Sequence, residues 1–221
     1  MILIINKSKK DAQRLSEMFY FMGIVSYAAT PTDALGEISN IYSTVLVMNP
    51  NALADKEDFL LRLRSYANLP VFAISASPDA TDSLIFDGVL NGNPYASKIL
   101  SYVTEFCTMH DVKSPGTYKL AGIDASVNLR TPTYFNKALP FTKTELMILR
   151  TLIATYPRPI KAPIILKYAF KATKKPELAN IRTHVSLMNK KFRNIADKNI
   201  ISLTPSEGYR ILTPEMAEAI V

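Results

Sequence analysis

The chain of 221 residues contains one cysteine, two histidines, seven glycines and no tryptophan. A single cysteine excludes a disulfide framework and a cysteine-based zinc site. The few glycines and histidines form no Gly-rich phosphate loop and no Ser-His-Asp arrangement, so no enzyme class is indicated. No apolar run reaches the roughly 18–20 residues of a membrane span, and the apolar residues 1–5 precede the first lysines, the reverse of a signal peptide. We therefore expect a cytoplasmic protein without membrane contact, metal or cofactor.

Charge is distributed unevenly along the chain. Residues 1–110 carry 8 Lys and Arg against 11 Asp and Glu, a net charge of −3, whereas residues 111–221 carry 18 against 8, a net charge of +10. A mildly acidic half joined to a strongly basic half indicates two domains, the second with a polyanionic partner. The alternative is chance segregation of solvated charges.

Short apolar runs alternate with amphipathic segments through the first half. Buried strands are predicted at residues 2–5, 25–28, 44–48, 70–74 and 88–91. Helices are predicted at residues 9–22, 31–38, 57–66, 79–87 and 95–106, the first of them capped by Ser8 with Asp11 three residues later. This alternation predicts an α/β fold with a doubly wound five-stranded parallel sheet, which places any site at the carboxyl ends of the strands.

The order and spacing of these elements resemble the receiver domain of bacterial response regulators. In that family, acidic residues after the first strand hold Mg²⁺, an Asp ending the third strand accepts phosphate, a Ser or Thr ends the fourth, and a Lys-Pro follows the fifth. The resemblance places the acids at Asn6 and Lys7, the phosphoacceptor at Asn49 and the hydroxyl at Ser75. Residues 91–94 read Asn-Gly-Asn-Pro, with the proline but without the lysine.

These replacements change the chemistry of the site. Mg²⁺ needs hard, usually anionic oxygen ligands, and Lys7 brings a positive charge instead. The amide oxygen of Asn49 is too weak a nucleophile to form an acyl phosphate. We therefore expect a degenerate phosphorylation pocket of Asn6, Lys7, Asn49 and Ser75 that is not phosphorylated. One hypothesis is that Lys7, hydrogen-bonded near Asn49, supplies the charge that a metal supplies elsewhere; the alternative is that all four are ordinary polar loop residues.

The polar, turn-rich residues 110–117 are interpreted as a linker between a domain of residues 1–109 and a domain of residues 118–221. Cys107 and His110, close to this boundary, are interpreted as core and linker residues without a catalytic or ligand-binding role. Short strands of a small antiparallel platform are predicted at residues 118–123, 125–129 and 134–136.

A capping box, Thr-Lys-Thr-Glu at residues 142–145, is the clearest local signal in the second half, and Pro157 and Pro159 end the helix that it begins. Pro163 opens a second helix. A third helix, over residues 177–195, and a β-hairpin, over residues 200–203 and 209–212, complete the region.

The third helix has two chemically different faces. Its apolar face carries Ile181, Val185, Met188 and Phe192. Its opposite face lacks a carboxylate and carries Arg182, Thr183, Ser186, Asn189, Lys190 and Arg193. Three helices and a hairpin predict a winged helix-turn-helix domain, whose third helix enters the major groove and whose wing approaches the minor groove. A merely solvated basic face is the alternative.

Residues 117–213 also resemble the effector domain of OmpR/PhoB-type response regulators. The resemblance is carried by the eight residues from Leu139, by residues 180–185 and 190–192 of the third helix, and by Gly-Tyr-Arg at 208–210. It implies a homodimer formed by the fourth helix, fifth strand and fifth helix of the receiver-like domain, roughly residues 80–107. The candidates for that face are among Leu84, Ile85, Phe86, Tyr95, Ile99 and Tyr102, some of which must belong to the core.

The chain departs from the OmpR/PhoB pattern in its third helix and its wing. Leu187 stands where a basic residue is common, and Asn189 replaces the usual arginine. In the wing, Pro205-Ser206 stands where Arg-Gly is usual. The target DNA sequence therefore cannot be taken from the family's usual sites.

We expect a transcription regulator that binds double-stranded DNA sequence-specifically, independently of aspartyl phosphorylation, as a homodimer on tandem half-sites. The candidate DNA contacts are Arg182, Thr183, His184, Ser186, Asn189, Lys190, Arg193, Thr204, Ser206 and Arg210. For His184, a phosphate contact and a packed core position are equally open. Lys191 is expected to contact the DNA backbone, and the loop lysines 171, 174 and 175 contact DNA or RNA polymerase or keep the loop soluble.

Two other functions stay open. In the first, the receiver-like domain docks a protein partner and controls transcription through it, with DNA contact secondary. In the second, the pocket of Asn6, Asn49 and Ser75 binds a small polar ligand.

Overall fold

A computed structural model describes residues 1–37, 42–53, 55–66, 69–78, 85–170 and 178–213. The chain divides into two compact units, Met1–Pro115 and Gly116–Val221. The division lies within the segment 110–117 that is predicted as a linker. The three loop lysines, Leu84 and most of the helix predicted over residues 79–87 lie outside the described residues.

The first unit contains a parallel five-stranded sheet. Its strands are β1 (Ile2–Ile5), β2 (Ser26–Ala29), β3 (Thr44–Met48), β4 (Val71–Ser75) and β5 (Gly88–Asn91). All neighbouring pairs are parallel, in the order β2-β1-β3-β4-β5. The strand order reverses direction between β1 and β3, as in other doubly wound folds. The predicted fold is confirmed, and each strand lies within one residue of its predicted position.

Four α-helices with bounds inside the described residues of the first unit form two pairs around this sheet. They are α1 (Lys9–Phe21), α2 (Pro31–Glu37), α3 (Lys56–Tyr66) and α4 (Ala96–Met109). Helix α1 packs beside α4, and α2 packs beside α3. The Ser8 hydroxyl accepts a hydrogen bond from the Asp11 amide at 3.4 Å, which is the predicted cap of α1. Every residue of β1 is buried, as expected for a sheet that is covered on both faces.

The last turn of α4 carries the single cysteine. Cys107 is completely buried, and burial raises the pKa of its thiol, so it is a core residue. His110 follows the helix as an exposed residue whose ring stacks on Phe106, with 4.2 Å between ring centroids.

The structure removes two residues from the predicted dimer face. Phe86 and Ile99 are buried in the core of the first unit and cannot contact a partner. Their apolar character reflects core packing, which the sequence pattern does not distinguish from an exposed apolar patch. Tyr95 and Tyr102 are 79% and 38% exposed and stay candidates, as does the half-buried Ile85.

The second unit begins with a four-stranded antiparallel sheet of very short strands. These are β6 (Lys119–Leu120), β7 (Ile123–Asp124), β8 (Thr133–Tyr134) and β9 (Lys137–Ala138). The predicted antiparallel platform is present, but it has four strands of two residues instead of the three short strands predicted. Ala121 and Gly122 have positive φ angles, as do Phe135 and Asn136, so the chain turns back within two of the segments predicted to be extended.

Three helices and a hairpin follow this sheet. They are α5 (Lys143–Thr155), α6 (Ala162–Ala169), α7 (Leu178–Ala196), β10 (Ile201–Thr204) and β11 (Gly208–Ile211). Tyr209 of β11 pairs with Ile160 before α6. Gly208 has φ +118°, and a Cβ there would collide with the Ile160 carbonyl oxygen, so only glycine fits beside this bridge. The predicted winged helix-turn-helix fold is confirmed.

Candidate functional site

Helix α7 presents a polar face and buries an apolar one, as predicted. Ile181, Met188 and Phe192 are completely buried. The Phe192 ring meets the edges of two other aromatic rings, those of Tyr134 and Phe141, at centroid distances of 5.4 and 5.5 Å. The exposed residues of the opposite face are Arg182, Thr183, Ser186, Leu187, Lys190 and Arg193. Aromatic packing thus fixes which face of the helix points outward.

Asn189 lies on the buried side of α7 rather than on the exposed face, so its prediction as a DNA contact is wrong. Its side chain is 9% exposed. Its amide nitrogen donates to the Ile201 carbonyl oxygen at 2.7 Å, and its amide oxygen accepts from the backbone amides of Ile200 and Ile201 at 3.1 and 2.9 Å. These bonds occupy the amide and attach the start of the hairpin to α7. The helical pattern misplaced Asn189 because it sits at the border between the two faces.

Lys191 also faces the protein, not the solvent. Its ammonium group donates to Glu145 Oε2 at 2.7 Å and to the Pro140 carbonyl oxygen at 2.9 Å. Lys191 therefore joins α7 to the start of α5, which leaves its ammonium group less available for the predicted contact with the DNA backbone.

Glu145 makes hydrogen bonds with two residues, Thr142 and Lys191, although it is only 1% exposed. Its carboxylate accepts from the Thr142 amide at 2.6 Å, while the Glu145 amide donates to the Thr142 hydroxyl at 3.3 Å. This is the predicted capping box. Burial on its own would raise the pKa of Glu145, but the hydrogen bonds from Lys191 and Thr142 together outweigh burial and hold the pKa below its ordinary value.

His184 is half-buried against the end of α6. Its ring is tilted against the ring of Phe170, with 5.6 Å between centroids. Of the two roles left open, this geometry favours packing over contact with DNA.

The wing and α7 form the two sides of a cleft of about 640 Å³. Four predicted DNA contacts line it: Arg182 and Thr183 from α7, Thr204 from β10, and Ser206 at the tip of the wing. Lys161, the residue that precedes α6, lines it as well. No carboxylate is among its described lining residues, so the cleft is positive and suits the backbone of a polyanion.

Lys161 is a candidate site residue that the sequence analysis did not identify. It lies at the start of α6, where no side chain caps the free backbone amides in the described structure. A helix N-terminus beside a lysine favours an anion. The Lys-Ala-Pro sequence at residues 161–163 signalled the start of the helix, but its position opposite α7 depends on the tertiary fold.

The guanidinium groups of Arg193 and Arg210 are less available to DNA than the side chains of the other predicted contacts. Arg193 is exposed but donates to the Asn199 side chain at 2.5 Å. Arg210 is half-buried in β11, opposite Ser202 of β10. Ser186 and Lys190 make no hydrogen bond or ion pair within the described residues and are exposed.

The degenerate pocket of the first unit is only partly assembled. Asn6 and Asn49 line one cavity of about 570 Å³ at the carboxyl edge of the sheet, together with Asp11, Arg14 and Tyr95. Asn6 is buried, and its side-chain oxygen accepts from the Ser8 amide at 3.2 Å. Asn49 adopts a left-handed backbone conformation, with φ 51°.

Lys7 and Ser75 are not part of this cavity. Lys7 is exposed beside a separate cavity that Thr30 and Phe59 also line, and it makes no hydrogen bond within the described residues. The hypothesis of a Lys7 charge bonded near Asn49 is therefore wrong. Ser75 is buried, and its hydroxyl accepts from the Ser77 amide at 3.3 Å.

Searches against known proteins return structural neighbours only. No protein-family model matches the chain, and no curated protein matches it. One solved structure, described as belonging to a novel family of redox sensors in the streptococci that evolved from two-component response regulators, is 16% identical and has a TM-score of 0.39. The aligned region spans 96% of this chain and 98% of the chain in that structure. The response regulator DrrB, an OmpR/PhoB homologue of Thermotoga maritima, is 14% identical, with 95% and 97% coverage and a TM-score of 0.41.

Two further properties concern the described residues alone. None of their helices has the length and apolarity needed to cross a bilayer. They also contain no cluster of three His, Cys, Asp or Glu side chains suited to a metal ion.

We predict that Glu145→Gln lowers the free energy of unfolding of the full chain near neutral pH by about 1–3 kcal/mol, because it weakens charged hydrogen bonds. The Glu145 pKa is depressed in the folded state, so the carboxylate stabilises the fold above its ordinary pKa of 4.5 and loses this effect as pH falls below it. The difference between wild type and variant should therefore shrink on acidification.

Urea unfolding at a series of pH values, followed by circular dichroism, measures this difference. Glu207→Gln in the exposed turn of the wing removes the same charge and serves as the control. Equal pH dependence of the Glu145 and Glu207 variants would contradict the assignment.

Proposed function

We propose that this protein is a transcription regulator that binds double-stranded DNA through α7 and its wing and needs no aspartyl phosphorylation. The observation that carries the proposal is the exposed face of α7, which combines basic and hydroxyl side chains without a carboxylate and adjoins a positive cleft. An α-helix of this kind fits the major groove of B-DNA, where its side chains reach base edges.

The exposed residues of α7 and of the cleft differ in the part of the DNA that each can contact. Arg182, Ser186 and Lys190 have exposed polar groups and are the proposed contacts to base edges or phosphates. Lys161 lies across the cleft from α7 and suits a phosphate. The net charge of +10 over residues 111–221 adds affinity that does not depend on sequence and that falls as salt rises.

The first unit supports regulation without phosphoryl transfer. Asn49 cannot form an acyl phosphate, and Lys7 neither lies in the cavity of Asn49 nor offers a metal ligand. We propose that this unit acts instead through contacts with a second copy, for which the exposed Tyr95 and Tyr102 are the candidates. We expect no enzymatic activity.

We predict that a random duplex library selected with the full chain yields an enriched sequence. Two half-sites about 10–10.5 bp apart would match a dimer. On that sequence, Arg182→Ala should weaken binding about 5- to 100-fold. If Lys190 binds the DNA backbone, Lys190→Ala should reduce the slope of log affinity against log salt concentration by about one, the value of one phosphate contact.

Arg130→Ala and Lys137→Ala are the matched controls for this experiment, because both residues are exposed and lie in or beside the small sheet, outside α7 and the cleft. Gel retardation at several salt concentrations measures all four variants. The proposal fails if no sequence is enriched, or if the controls lose as much affinity as the α7 variants.

We predict that acetyl phosphate with Mg²⁺ adds no phosphoryl group to the chain, because Asn49 stands at the acceptor position. Intact-mass spectrometry after incubation measures the addition directly, and DNA affinity should be the same before and after treatment. A mass increase of one phosphoryl group that Asn49→Ala abolishes would show that this inference is mistaken.

A second candidate function is ligand sensing by the first unit. What supports it is the cavity of Asn6 and Asn49, which combines polar groups with apolar walls from Leu15, Met48 and Ile74. We predict that a ligand of this cavity raises the melting temperature of the wild type but not of an Ile74→Trp variant, which fills it. A screen of small polar metabolites by thermal shift measures this, and a screen without any stabilising compound would remove the candidate.

A further inference from the structure

The exposed side of α7 contains two large apolar residues, Leu178 in the first turn, which lines the cleft, and Leu187 in the middle of the helix. Leu187 is 46% exposed, although its neighbours along the face are polar. It lies one helical turn after Thr183 and one turn before Lys190, distances at which side chains on a helix are adjacent. It is therefore placed among the residues proposed to approach the bases.

Leu187 does not belong to the fully buried side of α7. The apolar side of α7 is already complete with Ile181, Met188 and Phe192, all fully buried. Nor is it part of the cleft beside the wing, which is lined by the earlier residues Arg182 and Thr183. The Leu187 side chain is thus partly exposed and lies outside both the fully buried core and the cleft.

In the major groove, an apolar side chain has only one apolar partner among the standard bases. The C5-methyl group of thymine is that partner, whereas guanine, adenine and cytosine present donors and acceptors. Placed against those polar edges, a leucine would leave them without water or a hydrogen-bond partner, which is unfavourable.

We infer that Leu187 is a specificity-determining residue that selects thymine through its C5-methyl group, at one position in each half-site. This inference rests on the proposed DNA-binding function and adds the identity of a base. Contact between the leucine and the methyl group buries about as much apolar surface as one methylene group, which corresponds to a three- to tenfold effect on affinity.

The test replaces thymine by deoxyuridine, which removes the methyl group and leaves the hydrogen-bonding edge unchanged. Each thymine of the selected sequence is replaced singly, and binding is measured for the full-length wild type and for three variants: Leu187→Ala, Leu187→Met and Thr183→Ser. Alanine at an exposed helical position keeps the fold, which circular dichroism checks. Thr183→Ser removes the other methyl group near the centre of this face.

The expected result is one thymine per half-site at which deoxyuridine weakens wild-type binding three- to tenfold. This loss should disappear in Leu187→Ala and persist in Leu187→Met and Thr183→Ser. If no thymine is sensitive, if the loss persists in Leu187→Ala, or if it disappears in Thr183→Ser, then Leu187 does not select the base.

These outcomes are separate from failure of the proposed function. An enriched sequence with deoxyuridine effects that do not depend on Leu187 would overturn the role of Leu187 alone, and would favour a contact of this leucine with protein. Absence of any enriched sequence would overturn both the DNA-binding function and the selection of thymine.

Discussion

The carboxylate of Glu145 organises the second unit. It is almost completely buried, closes the first turn of α5 through the Thr142 amide, and receives the Lys191 ammonium from α7. A buried carboxylate is costly unless its oxygens are hydrogen-bonded, and here helix capping and an ion pair together satisfy it. Glu145 therefore caps α5 where it begins and, together with the aromatic packing of Phe192, sets how α7 is rotated against α5. The outward face of α7 follows from that rotation.

On its other flank, α7 is held by Asn189. The amide of this residue bonds both the carbonyl oxygen and the amide of Ile201, so the first strand of the hairpin is attached to the helix. The position of the wing relative to α7 therefore depends on Asn189, a residue of α7 itself. Asn189 thus helps to hold the two sides of the cleft in place but does not line it, whereas Arg182 and Thr183 line it.

The sequence predicted the fold well because both units follow strong periodic signals. Apolar runs of four or five residues marked the strands of the parallel sheet, and the capping box marked the start of α5. The site was harder to predict. Asn189 and Lys191 lie beside the polar stripe of α7, and periodicity does not say whether a border residue faces solvent or bonds a neighbour. Lys7 was placed by analogy with a family position, but the chain turns it towards another cavity.

The complete burial of Cys107 has a practical consequence for solution studies of this protein. A buried thiol with a raised pKa reacts slowly with maleimides and iodoacetamides, because the thiolate is the reactive form. It is the only cysteine in the chain. A cysteine introduced on the surface, for example in the exposed turn of the wing, can therefore carry a fluorescent or spin label without prior removal of the native one. Labels at that turn can then measure the distance between the wings in the proposed dimer.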